Sequence, residues 1–156
     1  MSQCTESVDV AVDVAVDVVP RTRFAHGAID QWLHRFCAPA ERAEIAAVAE
    51  PARQPFAAAM WAAKECGVKL AGRRPETGFG AIVVSLNDRI PHPQLKQRLA
   101  DVIGDIAVSL EPQQSHSPAF GKVSGVDGGE ASLAVLSTDT YAVAVAARPR
   151  QIGPVR

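Results

Sequence analysis

Aromatic side chains are scarce: one Tyr, two Trp and five Phe make up 5% of the 156 residues. A core must therefore be packed from Val, Ile, Leu and Ala, and few rings are left to stack on bases or sugars. Cysteine is sparse too. Cys4, Cys37 and Cys66 are an odd number at wide spacing, which argues against the disulfide framework that staples small secreted domains. No stretch approaches the roughly 18 apolar residues that span a bilayer, and no apolar segment follows a basic one as in a secretory leader. These absences lead us to expect a soluble, cytoplasmic chain with no membrane partner. Charge of one sign is not in excess either, the net charge being -1. Residues 1–20 hold Glu6, Asp9, Asp13 and Asp17 and no base, and the last nine hold Arg148, Arg150 and Arg156 and no acid. Taking 3 from 16 basic and 4 from 17 acidic residues leaves 13 of each between them. A neutral body lacks a phosphate-neutralising footprint, so a nucleic-acid partner is not expected.

What is present suggests one α+β domain, since a chain of this length falls within the usual range of a single domain. Every second residue from Val8 to Val18 is valine, with Asp or Ala between. Strict alternation fits a strand, yet the repeat is also of low complexity. Residues 1–20 are therefore expected to be either a disordered acidic arm or an edge strand, with Val10, Val12, Val14 and Val16 as its contact stripe. Residues 21–147 form the expected globular domain, and 148–156 a disordered basic tail. Three helices are expected in a front layer. Ile29, Trp32, Leu33 and Phe36 mark one over about 23–37, Pro39 opens a second to about Glu50, and Pro55 a third that closes at Gly67 as a helix-ending glycine. Ala81–Leu86 is a short β-branched run typical of a buried strand. Pro93 opens the best helix, through Leu95, Leu99, Val102, Ile103, Ile106 and Leu110, with Gly104 as a point of possible breakage. Residues 111–130 are rich in Gly, Ser, Pro and Gln and are expected to be a mobile loop. Two β-type runs around Thr138 and Asp139 then form a terminal hairpin. The expected fold is a helical layer followed by a small, mainly antiparallel sheet with one crossing helix.

Few clusters suggest chemistry. On the first helix Asp30, His34 and Cys37 line one flank of the apolar face, a set that could ligate a borderline metal or pair base with nucleophile. His26 lies on the same flank but about 16 Å along the axis from Cys37, too far to share an ion. The bland reading is a buried thiol beside solvated polar residues. The glycine-bounded loop after Lys69 carries Arg73 and Arg74, which could hold an anion, but its glycines lead into a strand and not a helix, so it is no Walker loop. Cys66 closes the third helix, the wrong end to stabilise a thiolate. Asp9, Asp13 and Asp17 would lie about 13 Å apart in a strand, which excludes a shared calcium ion. None of these motifs is the signature of a known family, and none demands a cofactor or resident metal. With no convergent polar site and with free strand edges, the chain is expected to be a non-enzymatic, oligomeric interaction protein such as an adaptor, assembly factor or chaperone-like subunit. The alternative is a small enzyme or metal- or anion-binding domain built on the first-helix flank or the arginine loop.

Overall fold

The structure, a computed structural model, describes residues 11–24, 28–72, 79–86, 89–113, 117–126 and 129–150. The fold is α+β. Its sheet has five antiparallel strands: β1 (Val12–Pro20), β2 (Val83–Leu86), β3 (Ala119–Val126), β4 (Gly129–Ser137) and β5 (Tyr141–Pro149), ordered β1-β5-β4-β3-β2. The helices are α1 (Ala28–Phe36), α2 (Pro39–Ala47), α3 (Arg53–Leu70) and α4 (Pro93–Leu110).

Each face of the sheet is covered by one long helix. On one side α3 brings Ala58, Ala62, Ala63 and Cys66 onto Ala15, Val19, Ala142, Ala144 and Ala146 in a single core. Small side chains on both partners let helix and sheet come close. On the other side α4 sets Leu99, Ile103 and Ala107 against Ala134, Leu136, Val143 and Val145. Five of the eight aromatic residues gather in one cluster: Phe24, Trp32, Phe36, Trp61 and Phe79 pack with centroids 4.7–5.8 Å apart and fasten α1 to α3.

The alternating segment stands in the sheet from Val12, in register with β5 from Val12↔Pro149 to Pro20↔Tyr141. Its even-numbered valines turn toward α4, where Val12 and Val14 line a groove of about 270 Å³ with Leu95, Leu99 and Val102. Val16 packs into the α4-side core, Val14 is half exposed, and Val10 lies outside the described residues. The odd positions turn toward α3.

Several boundaries differ from expectation for identifiable reasons. The first helix is divided into a 3-10 turn (Arg21–Phe24) and α1. Gly67 does not end α3 but lies inside it, because a Cβ there would stand 2.6 Å from Val123 Cγ1 and 2.7 Å from Ile82 Cγ2. The absence of a side chain serves close approach; the left-handed turn comes later, at Gly72 with φ 64°. Helix α4 continues through Gly104 unbroken. Part of the expected loop is strand β3, with Val123 and Val126 buried and Gly121 pressed against the backbone of Ser85 and Leu86. Glycines demanded by strand packing had the composition of a loop.

Candidate functional site

On the α3 face of β1 the chain reads Asp13, Ala15, Asp17, Val19. Ala15 and Val19 are buried in the core, so Asp17 places a carboxylate on an otherwise apolar face, its side chain only 11% exposed. Above it, Trp61, Glu65 and Lys69 recur every fourth residue on α3 and so form one stripe. Lys69 Nζ donates to Asp17 Oδ1 at 2.8 Å and to the Val16 carbonyl at 2.8 Å. Trp61 Nε1 donates to Glu65 Oε1 at 2.7 Å. Asp17 Oδ2 is buried and accepts no hydrogen bond among the described residues.

The electrostatics follow from this packing. Burial raises the Glu65 pKa, the neighbouring Asp17 charge raises it further, and the Trp61 donor only partly offsets them. Burial of Lys69 works to lower its pKa, but the hydrogen bond and charge of Asp17 outweigh that and hold it above its ordinary value. Cys66, donating to the Ala144 carbonyl at 3.4 Å, has its thiol pushed up to about 12 by burial, with Asp17 adding to it.

Two facing carboxylates have one lysine between them, and the hydrogen bond of Glu65 to Asp17 holds only while Glu65 keeps its proton, so the pair is short of positive charge once that proton is lost. Such a donor set fits a hard divalent cation. No group of three or more His, Cys, Asp or Glu side chains able to hold a metal occurs among the described residues. Two carboxylates, with water and substrate phosphate oxygens completing the shell, are the usual arrangement for Mg2+. Lys69 supplies a point charge for an anion at the same place.

The residues singled out from sequence lie elsewhere. Asp30 and His34 are exposed on α1, and Cys37 is partly buried just beyond it. Burial and then the Glu41 charge push the Cys37 thiol up to about 12, so it is no ready nucleophile at neutral pH. Arg73 and Arg74 lie outside the described residues. Asp17, Glu65 and Lys69 were missed, although two signals were available. One is an acid on the apolar face of a strand; the other is the Trp61–Glu65–Lys69 spacing.

Residues 13–146 match the 4′-phosphopantetheinyl transferase superfamily. The matched span runs from β1 to the end of the β5 core and takes in more than half of the chain, so the protein belongs to that superfamily. No curated protein matches the chain. Membership overturns the expectation of a non-enzymatic adaptor or chaperone-like subunit: a superfamily of group-transfer enzymes favours the alternative, a small enzyme. The earlier expectation arose because the acids and the lysine converge only when β1 meets α3. No helix among the described residues is long and apolar enough to cross a membrane.

Proposed function

We propose that this protein is a phosphopantetheinyl transferase that moves the group from a coenzyme A-type pyrophosphate onto a hydroxyl of a carrier protein. The observation that carries this reading is the convergence of Asp17, Glu65 and Lys69 beneath α3 in a chain of that superfamily. In the transfer the hydroxyl oxygen bonds to phosphorus as the bridging P–O bond breaks. The nucleotide phosphate leaves with the bridging oxygen and takes up, directly or through water, the proton that the hydroxyl gives up. Such chemistry is catalysed chiefly by positioning and by charge neutralisation. Asp17 and Glu65 would hold a divalent cation, which when bound supplies charge neutralisation to the phosphate oxygens. Lys69, already protonated and anchored through Asp17, would steady the pyrophosphate. Trp61 fixes the Glu65 carboxyl group through its indole N–H. The partner is thus a protein substrate, and the cytoplasm is where we place the reaction.

The test is transfer to a carrier protein, followed by intact mass. Asp17→Asn and Glu65→Gln should each lower kcat on the order of 10²- to 10³-fold, the scale of losing one electrostatic stabiliser. Full activity in either variant would remove these carboxylates from the mechanism.

A further inference from the structure

Helix α3 carries a second charged group, on a different flank from the site. Lys64 and Glu41 are 0% and 1% exposed, both on otherwise apolar ground. Lys64 Nζ donates to Glu41 Oε1 at 2.7 Å and also to the Ile82 carbonyl. Glu41 Oε1 accepts from the Ala38 N–H at 2.8 Å, and Oε2 from the Val84 N–H at 3.0 Å. A single ion pair thereby joins the start of α2, the middle of α3 and strand β2. Stability alone is a weak reason for it, because apolar replacement of a buried pair is often neutral or stabilising.

Lys64 directly precedes Glu65, so their side chains leave α3 about 100° apart. One side chain is held at the β2 edge of the sheet, while Glu65 and Lys69 reach toward Asp17 at the β1 edge. We infer that the Glu41–Lys64 pair is a positioning device that fixes the rotation of α3 and so sets Glu65 and Lys69 against Asp17; this rests on the transferase reading above. A helix is about 5–6 Å in radius with its side chains, so a roll of about 10° displaces their tips by about 1 Å. Misplacement on that scale at a reacting centre can lower rates about 10²-fold.

The deciding experiment compares wild type with Glu41→Leu/Lys64→Met and with Lys64→Met, in which Glu41 keeps its two backbone donors. Mg2+ alone is titrated into each folded protein and followed by tryptophan fluorescence, since Trp61 is bonded to Glu65; Tm, kcat and KM are measured beside it. The double variant is expected to keep a Tm near wild type and to bind Mg2+ at least about 10-fold more weakly, the usual effect of removing groups that orient ligands. Its kcat should fall while KM for the carrier protein holds. Should the double variant fail to fold, the same comparison is made on Lys64→Met. A folded variant with wild-type Mg2+ affinity and kcat overturns the inference and leaves the transferase reading intact. Wild-type protein that neither binds Mg2+ nor transfers the group overturns both.

Discussion

Replacing Gly67 by alanine sets two effects of opposite sign against each other. Alanine exceeds glycine in helix propensity by about 1 kcal/mol, and that alone would stabilise α3. The new Cβ would stand 2.6 Å from Val123 Cγ1 and 2.7 Å from Ile82 Cγ2. Each contact is about 1 Å shorter than the optimum for two carbons. Val123 and Ile82 are both fully buried, so neither methyl can swing into solvent, and α3 must lift or roll. Overpacking of this kind costs about 1–3 kcal/mol, and two simultaneous overlaps put Gly67→Ala in the upper half of that range. Net destabilisation should be about 1–2 kcal/mol. At about 2–4 °C per kcal/mol for a chain of this size, Tm should fall by about 2–8 °C. Gly104→Ala is the control: it lies within α4 with nothing within 4 Å of its would-be Cβ. There propensity acts alone, and Tm should rise by up to about 4 °C. Differential scanning calorimetry decides. A Gly67→Ala protein as stabilised as Gly104→Ala would refute the close approach of α3 to β2 and β3, and with it the reason α3 runs past residue 67.

Two further predictions come from the ionisable groups. Glu65 has a folded pKa raised from 4.5, so between that value and the raised one the folded state holds more protons than the unfolded chain. Metal-free stability should therefore decline as pH rises through this window and stay reduced above it. Above the window, Mg2+ at a hundredfold excess over Kd should stabilise the fold by about 2.7 kcal/mol, which is a rise in Tm of about 5–11 °C, and the rise should be smaller at the acid end; an equal shift in Glu65→Gln would contradict this. Cys37 and Cys66, both near 12, should resist iodoacetamide at about pH 8 until the protein is unfolded. Rapid alkylation of Cys66 in the native protein would show that its burial between α3 and β5 is wrong.

Much of the architecture was legible because it is periodic. The apolar stripe after Pro93 is α4, the β-branched runs around Thr138 and Asp139 are β4 and β5, and the valine alternation carries the two-residue period of β1. Strand β3 was not legible, since Gly121 serves a close strand contact that composition cannot distinguish from a loop. The site was hidden for a different reason. Asp17 belongs to a repeat of aspartates, and separation along one strand was the ground for dismissing it as a ligand. Its partners Glu65 and Lys69 stand on another element, with Lys69 52 positions away. The Glu41–Lys64 pair spans 23 residues, and its full burial is a tertiary fact that neither residue type suggests. Helical spacing put Asp30 and His34 on a shared flank, but a flank becomes a site only when another element faces it.

The most direct test is the intact mass of a purified carrier protein after incubation with this protein, coenzyme A and Mg2+. The mass should increase by one phosphopantetheinyl group, with loss of the increase on omitting Mg2+ or on Asp17→Asn. An unchanged carrier mass across a panel of carrier proteins, with folded protein and Mg2+ present, would contradict the assignment.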